Sequence, residues 1–353
     1  MTGDLAGRFR RLIENFGPIP VARFMGESNA IYYASRDPLG APRESGGGDF
    51  TTAPEISQMF GELTGLWLAD IWNRAGRPAK AAYAELGPGR GTLAKDALRA
   101  MARSGLSPDV HLVEGSPELR AAQAAALAGA KFHDDPGELP QEGPLLLVAN
   151  EFLDALPIRQ LVRAEAGWRE RMIGVDGEGF AFLAGPQPMD QALPEGFAQC
   201  PAGTILETTP GAAAVVREIA LRLTRQGGAA LFVDYGHLEP RTGSTLQAVR
   251  AHRKVDPFAH PGEADITAHV DFAVLAQIAR DAGCRVQTGT QGDWLVAMGI
   301  GVRAEALSAA APDRAADIAE ARDRLTARDR MGELFKVMAL TAPDWPAGAG
   351  LAP

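Results

Sequence analysis

Apolar and polar positions along this chain recur with two periods, and the switches between them predict its elements. Leu5, Phe9, Leu12, Ile13 and Phe16 fall on one stripe, and Ile56, Met59, Phe60, Leu63, Trp67 and Ile71 on another, the spacing of an apolar helix face. Thr52 and Glu55, with Pro54 between them, read as a Thr-x-x-Glu capping box opening the second helix. Short apolar runs then alternate with helical stretches: a strand at 81–85, a helix at 93–104, a strand at 110–114, a helix from 117 to about 127 and a weak strand at 131–133. The run 144–150 is apolar on both faces, which suits the centre of a parallel sheet covered by helices. Residues 158–164, 168–175 and 179–184 read as three short strands parted by Gly-containing turns, an antiparallel insertion. The βα pattern resumes with a helix at 211–224, a strand at 229–235, a helix at 271–282, a strand at 285–290, helical segments to about 328 and a last strand at 335–340.

The expected fold is therefore α/β, a doubly wound Rossmann-like sheet with an N-terminal helical cap and an antiparallel β insertion. The expected division is a cap at 1–75, a cofactor-binding half at 76–157, the insertion at 158–205, a second half of the core at 206–340 and a frayed Ala/Gly/Pro-rich tail at 341–353. Residues 37–50 are too rich in Gly and Pro to pack as an element, and 236–271 hold so few aliphatic residues that they read as a structureless, lid-like loop.

Composition narrows the function. Of 353 residues 46% are hydrophobic and 22% charged, ordinary globular usage, and no run of 18 apolar residues suggests a membrane span. A net charge of −9 argues against nucleic acid as a partner, because phosphate recognition needs clustered Lys and Arg. Cys200 and Cys284 stand far apart and in no metal-ligand spacing, and the six histidines include no HExxH, so neither a disulfide framework nor a metal centre is expected. The N-terminal residues lack an apolar signal core, and Asp4 and Glu14 weaken a transit-peptide reading, so a cytoplasmic location is expected.

The chemistry is concentrated at predicted strand ends. Ala81-Ala-Tyr-Ala-Glu85-Leu-Gly87-Pro-Gly89-Arg-Gly91 is a strand breaking into three glycines before a helix, so a ligand can lie against bare backbone at the carboxyl end of a strand. A dinucleotide loop would want glycine where Thr92 stands; GxGxG after an acid fits the loop that holds S-adenosylmethionine in class I methyltransferases. Glu114 ends the next strand about 20 residues on, where a carboxylate accepts from ribose hydroxyls, the alternative being a solvated acid that caps the following helix. Asn150-Glu151-Phe152-Leu153-Asp154 follows the central strand. Methyl transfer from a sulfonium is an in-line displacement that asks mainly for alignment in a dry site. Were the acceptor an arginine, Glu151 and Asp154 would suit its fork of N–H donors, the alternative being a helix cap.

Gly48-Asp-Phe-Thr-Thr-Ala-Pro-Glu-Ile-Ser-Gln-Met-Phe-Gly61, Glu85-Leu-Gly-Pro-Gly-Arg-Gly-Thr-Leu93, Asn150-Glu-Phe-Leu-Asp-Ala-Leu-Pro157, Asp234-Tyr-Gly236, Asp265-Ile-Thr-Ala-His-Val-Asp-Phe272 and Met331-Gly-Glu-Leu-Phe-Lys-Val-Met338 together resemble the MidA-type S-adenosylmethionine-dependent methyltransferases, whose mitochondrial members are complex I assembly factors. The resemblance implies a class I methyltransferase that makes symmetric dimethylarginine on the large hydrophilic NADH dehydrogenase subunit beside the quinone site. It implies Glu85, Gly87, Gly89 and Gly91 as the cofactor loop, Glu114 as the ribose ligand, Asp135 either on the adenine or simply at the surface, and Glu151 and Asp154 facing the acceptor. His269 could accept the acceptor's proton or serve structure alone, Asp234 could border the cleft or stabilise a turn, and Phe50 and Thr51 could close over the cofactor. The rival readings are a non-enzymatic assembly factor that keeps the fold and a nicotinamide-dependent oxidoreductase.

Overall fold

Leu145–Asn150 is buried at every position, as expected of a strand whose apolar side chains meet helices on both faces. In the computed structural model it lies within a sheet whose strands we number β1 (Ala82–Leu86), β2 (Asp109–Val113), β3 (Lys131–His133), β4 (Leu145–Asn150), β5 (Gly228–His237), β6 (Arg285–Thr290) and β7 (Phe335–Thr341). Their order is β3-β2-β1-β4-β5-β7-β6. Strands β1 to β5 are mutually parallel, and β7 runs antiparallel between β5 and β6. Chain order reverses between β1 and β4, which open the crevice at which such sheets take ligands, at their carboxyl ends.

The structure describes residues 4–35, 51–194 and 196–352; the expected loop at 37–50, with Phe50, lies outside them. Two compact units divide the chain. The larger comprises 51–153, 213–239 and 272–353 and contains the sheet just described. In it, helix α1 (Gln58–Arg74) packs on helix α2 (Thr92–Arg103) so closely that a Cβ on Gly65 would lie 2.3 Å from the Ala97 carbonyl oxygen. Glu62 of α1, almost fully buried, is held by Arg303 at 2.7 and 2.9 Å and by Arg99 at 3.1 Å. The predicted capping box does not form. A separate turn, Ala53–Ile56, precedes α1; Thr52 makes no side-chain cap bond, and Ser57 caps α1 through Met59 N–H at 3.2 Å.

The tail is not frayed up to residue 352. Trp67 Nε1 donates to the Ala349 carbonyl at 3.1 Å, Gly348 N–H donates to Gln287 Oε1 at 2.8 Å and Gln287 Nε2 donates to the Leu351 carbonyl at 2.7 Å.

The smaller unit gathers three separated stretches, 1–50, 154–212 and 240–271. The predicted three-stranded insertion is present as Arg159–Ala164, Gly167–Asp176 and Gly179–Pro188, joined in one sheet by Ile19–Pro20 and Ile205–Thr208. Helices Leu5–Phe16 and Val21–Ser35 belong to this unit, whereas α1, expected with them in one cap, belongs to the larger one. The stretch expected to be structureless holds a sheet of Gln247–Arg250, Arg253–Val255 and Asp265–Thr267. Its few apolar side chains, Ala248 and Ile266 among them, are buried with Leu5, Phe9 and Ile173, which is enough to fix short strands that periodicity does not mark. Among the described residues no helix is long and apolar enough to cross a membrane.

Candidate functional site

The glycine loop closes the carboxyl end of β1. Gly87, Gly89 and Gly91 take φ of 61, 54 and 79°, left-handed values that a side chain resists. A Cβ on Gly87 would come within 2.9 Å of the Phe152 ring, and one on Gly91 within 3.1 Å of Leu127. Gly91 is the N-cap of α2 and offers no side chain to its first turn, leaving backbone N–H groups to meet an anionic group. Glu55, the residue predicted for the capping box, instead accepts from the Thr92 hydroxyl at 2.5 Å and so ties the start of α2 to the turn before α1.

Beneath the loop, Glu85 is 3% exposed and accepts from the Tyr83 hydroxyl at 2.6 Å. Burial pushes its carboxyl up to about 8, and the phenol's hydrogen bond pulls the other way. Glu114 follows β2. Its Oε1 accepts from Ser116 N–H at 2.8 Å and its Oε2 from Gln123 Nε2 at 3.2 Å, while burial raises its pKa from the ordinary value. Gln123 was not anticipated. Wholly buried, it also donates to the Gly89 carbonyl at 2.6 Å and so bridges the glycine loop to the Glu114 carboxylate, leaving its Oε1 without a hydrogen-bond partner. A signal was available in the spacing Leu119, Gln123, Leu127, which puts one amide on an apolar helix stripe.

Asp135 is exposed and accepts from Gly137 N–H at 2.6 Å, capping its own turn. Glu151 lies at the carboxyl end of β4 with φ of 52°, a left-handed conformation for a non-glycine residue. Its Oε1 accepts from Ala53 N–H and from Asn150 Nδ2, each at 3.1 Å. Asp234, ending the buried part of β5, accepts from Phe152 N–H at 3.1 Å, Leu153 N–H at 2.8 Å and Tyr235 N–H at 2.9 Å. It therefore holds the turn that Glu151 begins, the turn-stabilising alternative read from the sequence.

Asp154 and His269 belong to the smaller unit. Asp154 is 5% exposed and its carbonyl accepts from Ala268 N–H at 3.0 Å; half-buried His269 donates its N–H to Thr245 Oγ1 at 2.9 Å. Of the basic residues in the expected lid, Arg250 pairs with Glu263 at 2.9 Å, and His252 takes φ of 60° between two strands.

Residues 63–290 match the model of an S-adenosyl-L-methionine-dependent methyltransferase family. The chain belongs to that methyltransferase family. Protein arginine methyltransferase NDUFAF7, mitochondrial, of Xenopus tropicalis is 35% identical over 92% of this chain and 82% of its own length, and the Drosophila melanogaster homologue is 36% identical over 96% and 85%. A superfamily member from Burkholderia thailandensis, solved with S-adenosyl-homocysteine bound, superposes with a TM-score of 0.84 at 31% identity, covering 98% of this chain and 93% of that one. This methyltransferase therefore uses S-adenosylmethionine, which removes the oxidoreductase reading. The expectation of a cytoplasmic location is overturned as well, since these curated relatives are named mitochondrial.

The residues present fit that cofactor. Open loop backbone, an uncapped helix start, the Glu114 carboxylate with the orphaned Gln123 Oε1 near it, and a buried acid at Glu85 that positive charge would ionise form a donor and acceptor set for a cationic nucleoside.

Proposed function

We propose that this methyltransferase modifies an arginine side chain of a protein, giving symmetric dimethylarginine on the large hydrophilic NADH dehydrogenase subunit and so supporting complex I assembly. The observation that carries the reading is the contact of the Glu151–Phe152 turn with the cofactor loop, where the Phe152 ring stands where a Gly87 side chain would be. The acid next to Phe152 is thereby brought to the loop's edge in a strained, hydrogen-bonded conformation. The names of the curated relatives support arginine as the acceptor.

In this reading Glu85, Gly87, Gly89, Gly91 and Glu114 hold the cofactor, which when bound supplies a methyl group on a positively charged sulfur. Asp135, engaged at its own turn, is a secondary contact for the adenine. Glu151 and Asp154 bind the guanidinium through its N–H fork and orient one nitrogen for in-line attack. The acceptor nitrogen gains the methyl carbon and loses a proton, which His269 accepts.

The test is transfer of tritiated methyl from S-adenosylmethionine to an extract of cells lacking this protein, followed by identification of the labelled residue. The parent should label an arginine, and Glu151→Gln should bind S-adenosylhomocysteine with unchanged affinity while labelling nothing. Label on lysine, or none, refutes the arginine reading; normal turnover by Glu151→Gln refutes the acceptor role of that carboxylate.

A further inference from the structure

Helix Pro117–Ala126 opens just after Glu114 and turns two side chains back toward it, Arg120 and Gln123, one turn apart. Arg120 holds the main chain. Its Nε donates to the Glu114 carbonyl at 2.6 Å and its Nη2 to the His133 carbonyl at 2.8 Å, which also accepts from Glu114 N–H at 3.1 Å. With both main-chain groups of Glu114 engaged, the freedom left to the residue is the aim of its carboxylate. Ser116 N–H takes Oε1 at 2.8 Å, one bond about which the carboxylate can still swing. Gln123 Nε2, on Oε2 at 3.2 Å, supplies the second point.

The same Nε2 donates to the Gly89 carbonyl at 2.6 Å. A Cβ on Gly91 would lie 3.1 Å from Leu127 and 3.8 Å from Gln123 Cγ, so the amide sits against the glycine loop. Packing alone would not select it. Gln123 is wholly buried on the stripe of Leu119 and Leu127, and its Oε1 has no hydrogen-bond partner. Leucine would fill that stripe with no buried oxygen left unpaired. Gly89 and Glu114 are only half-buried, so water can serve the two groups that the amide meets; what water cannot do is hold them in a fixed relation.

We infer that Gln123 is a positioning residue that fixes the Glu114 carboxylate against the glycine loop and so gives the site its selectivity for an intact ribose. The inference rests on the reading of Glu114 as the ribose ligand. An ionised carboxylate has about four acceptor positions, more than the N–H groups of Gly115, Ser116 and Gln123 fill. Gln123 decides which position faces the sugar without touching the cofactor. Hydrogen bonds weaken steeply with misalignment, so a carboxylate free to swing loses the sugar hydroxyls while the rest of the nucleoside keeps its contacts.

The experiment measures binding, not turnover, by titration calorimetry of the full-length protein with S-adenosylhomocysteine and with its 2′,3′-dideoxy analogue. The parent should bind the intact nucleoside about a hundredfold more tightly, the effect of hydroxyls bonded to a charged group. Gln123→Met, which fills the same space and donates nothing, should cut that preference to about tenfold, with affinity for the dideoxy analogue within about twofold of the parent's. A role confined to packing would weaken both ligands alike and leave the preference intact. Gln123→Asn, polar but one carbon too short to span both acceptors, gives the same reading if the methionine variant does not fold. An undiminished preference in Gln123→Met beside a lost one in Glu114→Gln overturns the inference and leaves the ribose reading standing. No preference in the parent, or an undiminished one in Glu114→Gln, overturns the ribose reading itself, and this inference with it.

Discussion

Replacing Glu85 with glutamine should make the cofactor-free protein more stable than the parent by an amount that grows with pH. Glu85 lies on β1 with 3% exposure, and burial moves its carboxyl from an ordinary 4.5 up to about 8. The folded protein consequently keeps a proton that the unfolded chain gives up between those two values. Unfolding releases that proton, so stability is fully present below pH 4.5 and is lost as pH rises through 8. Each tenfold difference in proton affinity corresponds to about 1.4 kcal/mol, which makes the loss about 3 kcal/mol at pH 7 and about 5 kcal/mol above pH 8. Glutamine has nearly the same shape, does not titrate and still accepts from the Tyr83 hydroxyl, so it leaves the 2.6 Å contact available. Urea denaturation of both proteins from pH 5 to pH 9 measures the difference directly. The two should be nearly equal at the acid end and part steadily until about pH 8, with similar dependence on urea concentration. Parallel stability profiles across the range would refute the reasoning, for they would mean that Glu85 titrates alike in the folded and unfolded states.

Two further outcomes follow from particular contacts. Gly89→Val places a β-branched residue at φ of 54°, a strain of about 1–3 kcal/mol, in the loop that the cofactor approaches; the thermal shift produced by S-adenosylhomocysteine should vanish while far-ultraviolet circular dichroism stays that of a folded protein. Arg303→Met removes the two-pronged partner of Glu62, leaving Arg99 as its remaining ion pair at 3.1 Å. A loss of about 2–4 kcal/mol, seen as a lower urea midpoint at pH 7, is expected from a nearly buried carboxylate so deprived, and an unchanged midpoint would show that the network contributes nothing.

The sequence by itself determined the elements of the sheet and the chemistry at its ends. Runs such as 144–150, apolar on both faces, have no stable place outside a covered parallel sheet, and three glycines between a strand and a helix declare a backbone that no side chain may cover. Those signals are local, carried by neighbours within one or two turns. What only the tertiary structure decided concerns groups brought together from distant parts of the chain: β7 between β5 and β6, a unit assembled from three separated stretches, Asn29 bridging Ala155 and Ile266, Gln123 bridging Gly89 and Glu114, and Glu55 turned from a helix cap to Thr92. In sequence each of these polar residues resembles a solvated one, because an amide or carboxylate reveals its partner only once burial has removed water as the alternative. The same holds for 236–271 and the tail, whose order comes from packing against remote side chains rather than from any period of their own.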